Sequence, residues 1–242
     1  MAIIRLSTVL VLFCFYFGSA QEYALGVRGG FNNFTIGDIN SRGGSIAQGR
    51  PDELFSPKKE MGYQLGGYLN VAFGKLFVQP EINYLRAKNR YEFPDQDSKW
   101  NSSRIDIPLL AGYNIYKPVS IYAGPIFNFY NYTKLEGVQV TSFSDGGPDL
   151  EESTVNFVIG AMLRWKRFGV DLRYEIGSNE TEEELLDIIR STYGVNLADL
   201  RSYKPNVISL SFTVDIFRTD NDDIGGFFSG LFKNNNKCYC PY

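Results

Sequence analysis

The sequence predicts an all-β protein, an eight-stranded antiparallel up-and-down transmembrane β-barrel. Its clearest signal lies between Ser153 and Ser178, where two runs of alternating apolar and polar or small residues are joined by a basic turn around Lys166. Alternation of period two is typical of strands, and strands of roughly 9–11 residues with apolar side chains outward are long enough to cross a bilayer. Similar runs recur along the chain, and long and short connections alternate between them. A content of 15% aromatic residues and 24 glycines also favours a barrel or sandwich.

Each strand is predicted from the same alternation. In the third, for example, Leu76, Val78 and Ile82 fall on one face, while Gln79 and Glu81 fall on the other. The apolar face is expected to point outward to lipid and the polar face inward. The predicted strands, in chain order, cover about residues 23–34, 61–73, 76–87, 104–115, 119–132, 153–164, 168–177 and 206–217.

The connections predict the topology. Long loops are expected at residues 36–60, 88–102, 133–152 and 178–205, and tight turns at residues 74–75, 116–118 and 165–167. All tight turns then lie at one end of the barrel and all long loops at the other. This is the layout of an outer-membrane barrel, in which the tight turns and both termini face the periplasm.

The last long loop contains one predicted helix, over residues 181–193. Thr181 and Glu184 form a capping-box pattern at its start, and Gly194 is suited to stop it. Its apolar stripe consists of Leu185, Ile188 and Ile189. The helix is expected to act as a structural lid over the barrel mouth.

The two ends of the chain are predicted to lie outside the barrel domain, which covers residues 21–217. Residues 1–20 have the pattern of a signal peptide, with Arg5, an apolar core and a small-residue cleavage site. Residues 218–242 are predicted to form a periplasmic tail. Cys238 and Cys240 in this tail are separated by one residue, which does not indicate a disulfide scaffold.

The composition also excludes several kinds of chemistry. The chain has no histidine, so histidine triads and histidine metal sites cannot occur. Its formal net charge of −3 does not indicate a nucleic-acid partner. The acidic residues between Asp145 and Glu152 lack the spacing of a calcium loop. The sequence therefore predicts no metal, no cofactor and no enzymatic activity, and outer-membrane lipid as the surrounding partner.

Charged residues on the inward faces form the candidate site. Four cations and five anions would meet inside a narrow barrel, where unpaired charge costs several kcal/mol. They are expected to pair in a structural network that sets register and rigidity; a proton path or a catalytic carboxylate pair is the alternative. The predicted lumen network consists of Arg28, Glu81, Arg104, Asp106, Arg164, Asp171, Arg173, Glu175 and Asp215.

Several short motifs carry a resemblance to a known family. They are GVRGGFN at Gly26–Asn32, QPEINY at Gln79–Tyr84, IPLL at Ile107–Leu110, AGP at Ala123–Pro125 and LRYEIG at Leu172–Gly177. In their order and spacing the chain resembles the PorT-like outer-membrane β-barrel family of Bacteroidetes. The resemblance implies a barrel in the cell outer membrane. One named member of that family is linked to protein secretion, so secretion-machinery proteins are implied partners.

Three functional hypotheses follow. The first is a non-enzymatic outer-membrane barrel whose long extracellular loops support binding, adhesion or an envelope or secretion assembly. The second is an outer-membrane hydrolase that works with carboxylates alone. The third is a soluble, lipocalin-like periplasmic binder of a small apolar ligand. A charged and filled lumen would favour the first hypothesis, and an apolar and hollow lumen the third.

Overall fold

The computed structural model describes residues 22–42, 53–148 and 150–219. Its elements are β1 (Glu22–Phe34), β2 (Ile39–Ser41), β3 (Leu54–Phe55), β4 (Lys58–Lys59), β5 (Gly62–Phe73), β6 (Leu76–Glu92), β7 (Asp97–Tyr116), β8 (Val119–Leu135), β9 (Ser153–Trp165), β10 (Phe168–Ile176), β11 (Glu184–Asp187), α1 (Arg190–Tyr193), β12 (Leu197–Leu200) and β13 (Val207–Arg218). The predicted signal peptide and the predicted tail beyond Thr219, with both of its cysteines, lie outside the described residues.

Eight long strands form a closed antiparallel ring. Around the ring the order is β1, β5, β6, β7, β8, β9, β10 and β13, and β13 pairs with β1 to close it. Tight turns at residues 74–75, 117–118 and 166–167 lie at one end. Gly74 and Lys166 in these turns have positive φ angles of 65° and 53°, which suit two-residue hairpin turns. The predicted eight-stranded barrel is confirmed.

The two faces of the strands separate by polarity as the alternation predicts. Leu172 and Leu210 lie opposite each other on β10 and β13, and 53% and 43% of their surfaces are exposed. Arg173 and Glu81 point into the barrel and are only 5% and 4% exposed. Because an outward surface of large apolar side chains is stable in lipid, the barrel wall has the character of a membrane-spanning surface.

One predicted loop is wrong. Residues 88–102 were expected to form a polar loop, but β6 continues to Glu92 and β7 begins at Asp97, so that only residues 93–96 connect them. Beyond Tyr84 the polarity of the two faces of β6 reverses, while the alternation of inward and outward positions continues. Leu85 and Tyr91 point inward and are buried, while the intervening outward positions carry cations such as Lys88. This reversal indicates where the strand leaves lipid and enters water, because the outside is then polar and the inside apolar.

The extracellular ends of the strands support a second folded layer, which we call the cap. It contains a four-stranded sheet in the order β11, β12, β2, β3. Within the stretch predicted as loop 36–60, the described residues therefore include short strands. The core of the cap is formed by Phe34, Ile36, Ile39, Leu85, Ala87, Tyr91, Phe93, Trp100, Leu135, Leu186, Ile188, Tyr193, Val195, Ala198, Leu200, Tyr203 and Val207.

The predicted helix is confirmed only in part. A short helix does lie in the last long loop, but it covers Arg190–Tyr193 alone and ends at Gly194, which has a φ of 74°. The residues predicted as its first turns form β11, which pairs with β12. Thr181 does not cap a helix, because its side-chain Oγ1 accepts a 3.0 Å hydrogen bond from the backbone N–H of Tyr203 instead. In the part of the chain that the structure describes, no helix has the length and apolar character to cross a membrane.

The lipid-facing wall gives the first prediction. Leu172→Arg is expected to destabilise the barrel by about 2–4 kcal/mol, because it places a charge on the lipid side near the bilayer midplane. Leu172 is the central residue of β10. The free energy of unfolding would be measured by urea titration in lipid vesicles. Leu54→Arg, at an exposed leucine of the cap, is the matched control and should change it little. Equal losses at both positions would contradict the assignment of the lipid-facing wall.

Candidate functional site: the charged lumen and the cap

Four charged side chains form a cluster at the centre of the lumen. Arg28 contacts Glu81 at 2.7 Å and Asp171 at 3.0 Å. Arg173 reaches the same two carboxylates, with both Nη atoms 3.0 Å from Glu81 and one 2.9 Å from Asp171. β1, β6 and β10 supply these residues, and all four side chains are almost fully buried. Two guanidinium groups therefore balance two carboxylates.

Neutral side chains complete this central cluster. Gln79 and Asn83 each donate to Glu81, over 2.7 and 2.9 Å. The Tyr122 hydroxyl donates to Asp171 and accepts from Nε of Arg173 at 3.0 Å. Buried ion pairs are retained only when such hydrogen bonds satisfy the remaining polar atoms. The cluster thus has the form of a connected network rather than of isolated pairs.

A second charged cluster lies on the cap side of the first. Arg104 of β7 pairs with Glu175 of β10, and its Nε lies 2.8 Å from Oδ1 of Asp106. Asn128 and Asn156 donate to Oε1 of Glu175 over 2.8 and 2.7 Å. Although Nε of Arg104 and Oδ1 of Asp106 are close, they are not aligned for a hydrogen bond. This cluster holds one cation against two carboxylates.

The two remaining predicted residues lie toward the tight turns. Asp215 accepts a 2.6 Å hydrogen bond from the Tyr68 hydroxyl and lies 3.3 Å from Arg218. Arg164 donates to Oε1 of Gln79 over 3.2 Å. Within the described residues, Arg164 has no ion pair with a carboxylate. The structure thus brings eight of the nine predicted residues to partners of opposite charge, and Arg164 is the exception.

This arrangement limits what the lumen can do. Glu81 and Asp171 each contact two arginines, so their negative charge is already balanced by fixed cations. An eight-stranded barrel has an interior that side chains can fill. The lipocalin-like hypothesis requires an apolar cavity, whereas the residues at the centre of this barrel are charged. They form a network of ion pairs inside the closed ring of strands.

The cap closes the barrel above the charged clusters. Trp100 is 1% exposed and stacks on Phe34 with ring centroids 5.2 Å apart. The guanidinium of Arg104 lies 5.7 Å from the centroid of the same Phe34 ring, so the apolar core meets the upper charged cluster directly. Burial raises the pKa of the Tyr203 phenol in the cap.

The outer surface of the cap carries exposed apolar side chains outside the lipid region. Val140 and Phe143 lie in the connection between β8 and β9 and are 75% and 65% exposed. Beside this connection is a groove of about 490 Å³. Its acidic wall residues are Asp145, Glu151, Glu180, Glu182, Glu183 and Glu184. Within the described residues no group of three or more ligating side chains is placed to hold a metal ion.

Sequence reasoning missed the cap and its surface, although one signal was present. Lys88, Arg90 and Glu92 alternate with inward residues at the same period as the barrel strands. A search restricted to apolar outward positions could not detect this pattern. Phe143 had no recognisable signal, because a single aromatic residue in a polar loop has no periodicity.

Comparison with known proteins gives the family. The family model for the outer membrane protein beta-barrel domain matches residues 19–181, two thirds of the chain. The crystal structure of Neisserial surface protein A is similar, with 14% identity, a TM-score of 0.40, and coverage of 81% of this chain and 99% of that one. Ail, the attachment invasion locus protein of Yersinia pestis, has 11% identity, a TM-score of 0.34, and coverage of 81% and 97%.

No curated protein sequence matches the chain. The family match covers more than half of the sequence, and it agrees with the closed ring of strands and their apolar outer wall. The chain therefore belongs to the family of outer membrane protein beta-barrel domains and lies in the outer membrane, surrounded by its lipid.

Proposed function

We propose that the protein is a non-enzymatic outer-membrane barrel whose cap presents a binding surface to a protein partner, for adhesion or for an envelope assembly such as a secretion machine. The observation that carries this proposal is the exposure of Phe143 and Val140 beyond the lipid region. Aromatic side chains exposed on a folded surface are frequent anchors in protein interfaces. A closed, charged lumen favours a role for the surface rather than for transport.

The connection that carries these residues is held in place by the cap sheet. The backbone N–H of Gln139 donates to the carbonyl of Asp187 over 2.9 Å, and its side chain donates to Oδ1 of the same residue over 3.1 Å. Val138 forms a β-bridge with Ile188. A preorganised surface loses less conformational entropy on binding than a flexible loop does. The exposed residues are therefore presented on a fixed support.

The negative charge of the groove indicates what kind of partner would bind. The acidic groove includes Asp145, two residues after Phe143 in the sequence, and its other carboxylates come from the connection between β8 and β9, the connection after β10 and the start of β11. Like charges this close together favour a partner of opposite charge, which would be steered toward the groove at low ionic strength. The partner that fits best is a protein surface with basic residues around an apolar pocket.

A photo-crosslinking experiment tests this proposal. p-Benzoylphenylalanine would be placed at position 143 in the full chain, in cells of the source organism that lack the natural copy. We expect a discrete crosslinked product on illumination, and we expect Glu182→Gln with Glu183→Gln to weaken it, because these changes remove charge from the groove. The same photoreactive residue at Trp165, which is exposed at a tight turn, is the matched control.

Two results would overturn the proposal. One is the absence of any product from position 143 while the protein is folded in the outer membrane. The other is an identical product from positions 143 and 165, because residues at opposite ends of the barrel cannot share one docking surface. Identification of the crosslinked protein would decide between adhesion and a secretion assembly of the kind that the PorT-like resemblance implies.

The hydrolase alternative has weaker support. A general base needs a carboxylate that is available to take a proton. Glu81 and Asp171 are each bound by two arginines, and Glu175 accepts from Arg104, Asn128 and Asn156. We therefore assign these carboxylates a structural role, in which they set strand register and rigidity.

A further inference from the structure

The periplasmic mouth of the barrel contains a second pocket, at the opposite end from the cap. Its volume is about 400 Å³, and its wall consists of residues of β1, β5, β7, β8, β9 and β13 and of all three tight turns. The basic residues of the wall are Lys75, Lys117, Arg164, Lys166 and Arg218, and Glu22 is the acidic residue among the described wall positions. The pocket therefore has a strongly positive character.

Arg164 distinguishes this pocket from an ordinary basic surface. The other three lumen arginines each contact two carboxylates. Arg164 is half-buried, and its Nη2 contacts only the neutral atoms Oε1 of Gln79 and Sδ of Met162, each at 3.2 Å. Among the residues that the structure describes, no acid pairs with it. A partly desolvated cation without a counter-charge is costly, and a bound anion would offset that cost.

The neighbouring cations strengthen the same field. Arg218 lies 3.3 Å from Asp215, but it also donates to the backbone carbonyl of Lys166 over 2.7 Å. Lys75 lies 6.0 Å from the centroid of the Tyr113 ring. Basic residues around a concave, low-dielectric wall concentrate anions from solution. Guanidinium groups in particular suit the geometry of phosphate and carboxylate oxygens.

We propose that this pocket binds an oxyanion, a phosphate or carboxylate group presented from the periplasmic side, with Arg164 as its central contact. This proposal does not depend on the binding surface of the cap, because the two sites lie at opposite ends of the barrel. Arg164, Lys166 and Arg218 would contact the oxyanion, and the side-chain amide of Asn114 in the wall is a further hydrogen-bond donor.

Acidic residues that follow β13 in the sequence must be taken into account in any binding measurement. Thr219 donates its backbone N–H to the carbonyl of Tyr23, a pocket residue, and Asp220, Asp222 and Asp223 follow it in the sequence. Because an acid on the same chain can compete with a free anion, binding must also be measured with these three aspartates changed to asparagine.

The experiment uses the full chain in a neutral detergent at low salt, with inorganic pyrophosphate as the probe in isothermal titration calorimetry. We expect binding by the Asp220→Asn, Asp222→Asn, Asp223→Asn protein. Adding Arg164→Gln and Lys166→Gln should weaken it by about a hundredfold, since each lost charge-assisted contact contributes roughly a tenfold change. Lys99→Gln with Lys134→Gln, at exposed lysines near the cap, is the matched control and should leave binding within about twofold.

Two outcomes would overturn the proposal. One is the absence of pyrophosphate binding by both the natural and the asparagine-substituted chain. The other is equal weakening by the Arg164 pair and by the control pair. Heat-modifiable gel mobility checks that each variant is folded. Adding phosphatidylglycerol to the detergent identifies the source of the anion, because competition with pyrophosphate indicates a lipid headgroup and unchanged binding indicates a soluble oxyanion.

Discussion

Arg173→Met is expected to destabilise the folded barrel by about 3–5 kcal/mol, the loss usual when one partner of a buried ion pair is removed. The change leaves Glu81 and Asp171 with Arg28 as their shared cation and removes the donors that bind both carboxylates. The central cluster then carries an uncompensated negative charge in a region from which water is excluded. Methionine fills much of the arginine volume, so a newly formed cavity contributes only a minor part of the destabilisation.

The free energy of unfolding of the Arg173 variant would be measured by urea titration in lipid vesicles, with gel mobility as the readout. Asp171→Asn in the same chain restores the charge balance and should recover part of the loss. Lys99→Met removes an exposed lysine and is the control. A loss no larger than that of the control, or no recovery with Asp171→Asn, would contradict the view that charge balance in the lumen stabilises the barrel.

The barrel itself was largely predictable from the sequence because its physical cause is local. A strand with lipid on one side and a polar lumen on the other alternates at every residue, so Leu172 and Arg173 could be assigned to opposite faces without knowledge of any partner strand. The closed ring then followed from the order of long and short connections. Neither inference required knowledge of a contact between distant residues.

The cap was not predictable by the same reasoning. Where β6 passes from lipid into water, the rule that apolar residues face outward reverses, and Leu85 and Tyr91 point to an interior core. The prediction that Lys88 and Arg90 lie in a loop was wrong because the outward face of β6 meets water rather than lipid at these positions. The strand period continues through both residues. The wrong prediction of a helix at β11 has a different cause. Glu184, the first residue of β11, forms a helical capping pattern with Thr181, but pairing with β12 and burial of Leu186 outweigh that local preference.

The lumen shows a third limit. The sequence indicates which side chains point inward, and the charge count predicts that they pair. Which cation meets which anion depends on how the strands are staggered around the ring. Arg28 and Glu81 are separated by 53 residues, and Arg173 and Glu81 by 92. The charge count alone placed Arg164 in the network. It could not show that Arg164 has no carboxylate partner among the residues that the structure describes.

Trp100→Ala is expected to open the cap while leaving the barrel folded. Truncating a fully buried aromatic side chain costs about 3–5 kcal/mol, and Trp100 contributes to the cap core through its stacking on Phe34. The lipid-facing strands below the cap keep their backbone pairing and their central charged cluster. The loss should therefore be local, because regions of one protein can open with different free energies.

Hydrogen exchange of backbone amides can separate these two regions. In the Trp100→Ala protein we expect amides of β6 between Leu85 and Glu92 to lose protection by roughly a hundredfold or more, since each 1.4 kcal/mol corresponds to a factor of ten. Amides of β10 should change little. Trp165→Ala, at the 77% exposed tryptophan of a tight turn, is the matched control and should leave both regions protected. Equal loss in β6 and β10 would mean that the cap and the barrel unfold as one unit, and an unchanged β6 would mean that Trp100 does not hold the cap together.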